Sequence, residues 1–590
     1  MKKILCTVSA ILLALSAMAV PAKPGVVITF TQPDGTQVRV QLHGDEYLNW
    51  YTLAGTNEMV ARHDDGFWRP TSISAELRAA AKERRRQDEA DMATRRAKMK
   101  GTNARTHGEH HIPVLLVEFT DVKFKQSDPK QAFNDMLNKR GYNTGDAKGS
   151  VRDYFSDNSF DEYKPVFDVY GPVTLPHNMA YYGEQIMNGD RVVTHDKQAY
   201  MALIDGANIL DATVNFAQYD EDHDGMVDMT LFYYAGYSQA EGGPTDAIWP
   251  HQSSVRSRNA VHDGVKLGNY FCTAELRGSS GNKICGIGVT AHEFSHSLGL
   301  PDYYDTDYED NGESHGMGSF SVMDSGCYLK GSDIPPYFNA LERTQLDWAD
   351  ENDITVLSRG YHTMQGVQHN EGYQMLSPTE GESFMLEYRN KQGWDQELPA
   401  GLVIYHIDKS TAHHVTSYYT AYSLWDMNDI NVYGHHPCCY VIPAADQTSL
   451  NTSSKRNSWV FPGTQNVKSY KPIDWDGNEL GEITDIAFAS DNQLSFKAKV
   501  TGEAGETPFG RLGMTAIYDP GNGVYDAGSD LELQLDMPDD ADPVSVAWTF
   551  DKYLSNGIVK NLQAGKHLIR AVVKWPDGST EYFELEITVQ

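Results

Sequence analysis

Residues 291–302 read Ala-His-Glu-Phe-Ser-His-Ser-Leu-Gly-Leu-Pro-Asp, and no other stretch constrains the fold as tightly. At about 100° per residue, a helix through it sets His292 at 0°, His296 at about 40° and Glu293 at about 100°, on one side. Ala291, Phe294 and Leu298 fall at about 200–260°, so the opposite side is apolar and can be buried. Two imidazoles one turn apart can grip one Zn2+ ion, and Glu293 can reach a water bound to it. Gly299 permits the left-handed turn that ends the helix, and Pro301 stiffens the exit. Asp302 then returns, six residues after His296, as a third ligand. The spacing repeats H-E-x-x-H-x-x-G-x-x-H with Asp in the last place. Met323, in the turn-rich stretch 318–326, is the methionine turn expected beneath such a metal.

These residues, with Ser321-Val-Met323-Asp and with Ile248-Trp-Pro-His251 ahead of the helix, resemble the immune inhibitor A family of secreted bacterial metallopeptidases. Phe384-Met-Leu-Glu-Tyr-Arg389, Gly393-Trp-Asp395 and Gly401-Leu-Val-Ile-Tyr-His406-Ile-Asp408 look like blocks that family carries after its catalytic core. The likeness runs from about residue 110 to about 500, and it makes residues 20–105 a propeptide by position. That segment has no cysteine, so a cysteine switch is excluded.

The expected activity is zinc-dependent endoproteolysis of proteins or peptides. Two neutral imidazoles and a carboxylate leave one metal position open for water, and Glu293 serves as general base. His251 and Tyr304 are nearby donors for a developing oxyanion, though each reads more readily as structural. Two other readings compete. One is a vestigial zinc protein acting as a surface- or carbohydrate-binding module, against which the intact Glu293 argues. The other is a zinc hydrolase of another bond, such as a deacetylase, against which the closeness of the third ligand argues.

A second cation is expected at residues 219–228. Asp220, Asp222 and Asp224 alternate, Gly225 makes a sharp turn and Asp228 holds the ninth position, as at the start of a calcium loop. Leu231 stands where an EF-hand supplies its bidentate glutamate, and residues 229–234 look like a strand, so Ca2+ would sit in a loop that is not an EF-hand. Asp305, Asp307, Glu309 and Asp310 make a further acidic loop that could take Ca2+ too but reads more readily as solvated.

The expected architecture is α+β: a zincin (metzincin-like) catalytic domain over 106–350, a β-rich domain packed on it over 351–500, and an Ig-like β-sandwich over 510–590. Lys2 and Lys3 precede an apolar run over 4–18 that closes on Ala17-Met18-Ala19, a signal peptide (1–19) cleaved after Ala19. The run is too short to span a bilayer comfortably, so the mature chain is expected outside the cytoplasm, extracellular or periplasmic, without membrane insertion and as a monomer. Residues 20–80 alternate around turn signals, a small β module. The Arg-rich 75–100 stretch reads either as a solvated helix and linker or as an activation segment.

With 81 acidic against 49 basic residues, the formal charge of −32 counts against nucleic acid as a partner. Once Cys6 leaves with the leader, Cys272, Cys285, Cys327, Cys438 and Cys439 remain, an odd number that excludes a disulfide scaffold but leaves a Cys272–Cys285 bridge open. Tyr518, Tyr525, Trp548 and Trp575 of the last segment are read equally as core or as the face for a glycan or protein ligand.

Overall fold

The apolar run at 112–119 becomes the strand Gly108–Glu118, inside a six-stranded sheet. Across the sheet the order is Ala17–Met18, His251–Ser254, Asn269–Leu276, Thr230–Tyr237, Gly108–Glu118, Tyr163–Thr174. The last four are parallel. His251–Ser254 turns antiparallel, and Ala17–Met18 lies antiparallel upon it. A parallel sheet must have both faces covered, and its strands are accordingly apolar on both sides. Val114, Leu116, Leu231, Tyr233 and Phe271 face one core, shared with helices Pro129–Asn138, Val151–Asn158 and Ile287–Ser297. Leu115, Val117, Phe232, Tyr234 and Tyr270 face the other, closed by helix Ala199–Leu210.

This two-faced sheet also rules out the Cys272–Cys285 bridge. Cys272 belongs to one core and Cys285 to the other, and all five described cysteines are buried free thiols.

The computed structural model describes residues 17–82 (save 19, 64, 76 and 80), 85, 106–307 (save 184–185, 189–190, 195 and 197), 314–445, 456–500 (save 491), 513–516, 524–536, 545–574 (save 552, 556 and 557) and 580–590. The chain is mixed α/β and rich in sheet. Residues 27–70 form a five-stranded antiparallel meander. Beyond the six-stranded sheet, Glu382–Arg389 and Gly401–Asp408 are central to a five-stranded sheet that packs with a three-stranded one.

The first core does not stop at residue 350. Met385, Val403, Tyr405 and Trp459 share it with Phe294 and Met323. Across the same seam, Arg389 is fully buried, pairs with Asp395 at 2.8 Å and with Glu387 at 2.6 Å, and donates to the Tyr337 carbonyl at 3.0 Å. A lone buried guanidinium would be costly, so this network ties the five-stranded sheet to the Gly393–Glu397 turn and to the loop at Tyr337.

Residues 513–590 carry two sheets, of three and five strands, around a small core. Tyr525 and Trp548 lie in that core, so neither offers a ligand face, whereas Tyr518 and Trp575 lie outside the described residues. Among the described residues no helix is long and apolar enough to cross a membrane.

Candidate active site

The helix Ile287–Ser297 is buried along almost its whole length, and glycines let it sit there. A Cβ on Gly288 would stand 2.0 Å from the Cys327 carbonyl oxygen, and one on Gly286 2.2 Å from Ser332. At the other end Gly299 takes φ +109°, a conformation that L side chains rarely adopt, and turns the chain back. His292, Glu293, His296 and Asp302 are thereby brought together, all buried.

His292 Nε2 and His296 Nε2 are 3.1 Å apart, and they lie 3.4 and 3.3 Å from Asp302 Oδ1. Each ring's other nitrogen faces a carbonyl: His292 Nδ1 that of Val322 at 2.8 Å, His296 Nδ1 that of Leu300 at 2.9 Å. Those carbonyls hold the protons on Nδ1, so both Nε2 atoms turn bare lone pairs toward one another. Asp302 Oδ1 and Glu293 Oε2 have no hydrogen-bond partner among the described residues. Three lone-pair donors at such separations repel unless a cation lies between them. The edge of a tetrahedron with ligands about 2.0 Å from its centre is about 3.3 Å, so the donor set fits Zn2+.

Burial pushes the Glu293 carboxyl well above the usual range, the buried Asp302 adding to the shift. Burial also works against ionised Asp302, but the two imidazoles outweigh it and hold that group well below the range.

Asn428 is the contact of the candidate site that the sequence did not reveal. Its side-chain oxygen accepts from Asp302 N–H at 2.8 Å, and its Nδ2 donates to Asp302 Oδ2 at 3.0 Å. It lies 126 residues downstream, beyond the reach of any spacing rule. Met323 is buried in the same core as Phe294 of the helix, its carbonyl accepting from Tyr303 N–H at 3.0 Å, while the preceding Val322 carbonyl faces His292 Nδ1.

The site is covered from the N-terminal side. Val20 is fully buried, and its N–H donates to Glu293 Oε1 at 2.9 Å. The Val20 carbonyl accepts from Trp249 Nε1 at 2.9 Å and that of Pro21 from the Tyr328 hydroxyl at 2.8 Å. Lys23 pairs with Glu241 at 2.7 Å. Further along, Arg85 joins Asp45 to the Thr306 carbonyl, and both oxygens of buried Glu46 lack a partner among the described residues. Burial and the neighbouring Asp45 push the Glu46 carboxyl up, with Asp302 among the charges it senses.

The other expected residues separate. His251 is structural: Nδ1 faces the Trp249 carbonyl at 2.7 Å and Nε2 the Tyr270 hydroxyl at 2.9 Å, and burial brings its pKa down to about 4, so it is neutral. Tyr304 is buried. Carboxylate oxygens of Asp220, Asp222 and Asp224 come within 4.8 Å of one another, whereas the Asp228 carboxylate accepts from Glu221 N–H at 2.9 Å. Asp220 Oδ1 is buried without a partner among the described residues. The loop leads into the strand Thr230–Tyr237, not a second helix. The later acidic loop is not solvated where it is described: Asp305 and Asp307 are buried, Asp307 pairing with Lys82 at 3.3 Å, and Glu309 and Asp310 lie outside the described residues.

Residues 101–348 match the family described as immune inhibitor A peptidase M6, catalytic domain. Among curated proteins, "Immune inhibitor A" of Bacillus thuringiensis subsp. alesti is 29% identical over 261 residues, 37% of this chain and 36% of that protein. "Pre-pro-metalloprotease PrtV" of Vibrio cholerae serotype O1 (strain M66-2) is 27% identical over 274 residues, 41% of this chain and 29% of that protein. The chain thus spans about a third of the length of these relatives.

Proposed function

We propose that this protein is a secreted zinc endopeptidase of metzincin-like fold acting on proteins or peptides, a reading supported by the match of residues 101–348 to the immune inhibitor A peptidase M6 catalytic domain. One observation carries the reading: two bare Nε2 atoms, Asp302 Oδ1 and the orphaned Glu293 Oε2 converge in one buried space.

His292, His296 and Asp302 would hold the zinc, whose Lewis acidity acidifies water and polarises a scissile carbonyl. Glu293 takes the proton of the attacking water and passes it to the leaving nitrogen. Asn428 and the Val322 and Leu300 carbonyls orient the ligands, and the Arg389 network stiffens the floor. In the observed arrangement the Val20 N–H meets Glu293 where a substrate's amide would, and this supports reading residues 20–105 as a propeptide that keeps the enzyme latent. The aspartate loop at 220–224 is read as a Ca2+ site, on the strength of its buried orphan oxygen. Residues 510–590 are read as an Ig-like sandwich.

The test is hydrolysis of a denatured protein such as casein by the mature chain, before and after a zinc chelator and after zinc is restored. Chelator-sensitive, zinc-restored cleavage is expected; cleavage indifferent to the chelator would overturn the reading.

A further inference from the structure

Away from the candidate active site, the strand Gly401–Asp408 ends in a second group of metal-ligating side chains. Asp408 is buried, and its Oδ2 meets His413 Nδ1 at 2.8 Å and His436 Nε2 at 2.8 Å. Its other oxygen accepts from Ser410 N–H at 2.8 Å. The three donor atoms lie within 4.8 Å of one another.

Behind the His413 ring, Nε2 faces Asp476 Oδ2 at 3.4 Å and Glu382 Oε2 at 3.9 Å. Neither His413 Nε2 nor Glu382 Oε2 forms a hydrogen bond among the described residues, although Glu382 is only 2% exposed. Glu382 is aimed, not loose: its Oε1 lies 2.7 Å from His406 Nε2 and accepts from Trp475 N–H at 2.8 Å. The His436 ring stacks on Trp475 at 4.0 Å.

This is the arrangement of a metal-bound histidine whose far nitrogen donates to a carboxylate. With a cation on Nδ1, the His413 proton belongs on Nε2, where Glu382 and Asp476 wait for it. The 2.8 Å separations are those of hydrogen bonds to protonated rings, and a cation would spread the donors to about 3.3 Å, a movement of about half an ångström. Two imidazoles and one carboxylate are a set for Zn2+ or a similar transition cation; Ca2+ takes oxygen ligands in greater number.

We infer that Asp408, His413 and His436 form a second, structural Zn2+-class site, with Glu382 and Asp476 as the carboxylates that orient His413. Its position gives it a task. Asp408 and His436 close the loop between them, Trp425 Nε1 within that loop donates to the Asp408 carbonyl at 2.6 Å, and Asn428 of the same loop grips Asp302. A cation here locks the loop that holds the third ligand of the first centre.

The full chain is loaded with Zn2+ in the presence of excess Ca2+, dialysed and assayed for zinc by atomic emission. Two zinc ions per chain are expected. The double variant His292→Gln, His296→Gln, with the second site intact, is expected to keep one zinc and to melt higher with zinc than without. Adding His436→Gln is expected to remove that zinc. A double variant that is folded by circular dichroism yet holds no stoichiometric zinc overturns the inference, and so does a zinc that survives His436→Gln. The double variant changes nothing at the second site, so it decides the matter even if His436→Gln fails to fold. A wild-type chain that holds one zinc instead of two, while the double variant still holds one, would count against the proposed activity and leave this inference standing.

Discussion

Replacing Asn428 with Asp isolates the grip on the third candidate zinc ligand. Asn428 sits at φ +54°, a conformation that Asp tolerates as Asn does, so the backbone is not strained by the change. One new carboxylate oxygen can still accept from the Asp302 N–H. The other replaces the Nδ2 donor and faces Asp302 Oδ2 from about the present 3.0 Å. A hydrogen bond to a charged group is worth about 1.5–3 kcal/mol, and at about 1.4 kcal/mol per decade that is about a 10- to 100-fold loss. Losing an outer-shell partner of a metal ligand costs about the same 10- to 100-fold in affinity. Like-charge repulsion moves the outcome toward the upper end of that range. The assay is competition for zinc against a chromophoric chelator, with circular dichroism to confirm the fold. Zinc affinity within about threefold of wild type would refute the claim that Asn428 orients a ligand, because the smallest expected effect is about tenfold.

Other predictions follow from the same structure. Burial pushes the Glu342 carboxyl up to about 7 from 4.5, so between those values the folded chain keeps a proton that the unfolded chain releases. Its stability is therefore full below pH 4.5 and declines as pH rises through 7. Glu342→Gln should remove up to about 3 kcal/mol of that decline, read as urea midpoints at pH 5 and pH 8 in both chains; parallel pH dependence would contradict it. Removing the N-terminal segment by cleavage in the Arg-rich stretch should raise hydrolysis of a small quenched peptide, and equal rates before and after would dismiss the covering role of Val20. Withdrawing Ca2+ with a calcium-selective chelator should lower the melting temperature while zinc content stays constant; no change in melting would remove the cation from the 220–224 loop.

What the sequence made legible was local. Two histidines, a glutamate, a glycine and an aspartate within eleven residues are placed by helix geometry, and the structure brings the two imidazoles and the Asp302 carboxylate within 3.4 Å of one another, with Glu293 buried beside His292. Strands 112–119 and 531–535 were readable because apolar runs and alternation mark them. The strand His251–Ser254 carries no such mark: its residues are polar yet buried, between Asn269–Leu276 on one side and Ala17–Met18 on the other. Asn428, and the joining of Asp408 to His413 and His436, depend on a long loop folding back, which no periodicity records. A core running past residue 350 was hidden for the same reason, since Met385 and Phe294 meet only in the folded chain.

The central claim is that Glu293 moves the proton at a zinc site. Glu293→Gln in the chain freed of residues 20–105 tests it most directly, with zinc content and protein hydrolysis measured on the same sample. Wild-type zinc content is expected, with hydrolysis lower by about 10²- to 10⁴-fold. Full hydrolysis by the variant, or zinc lost together with activity, would contradict it.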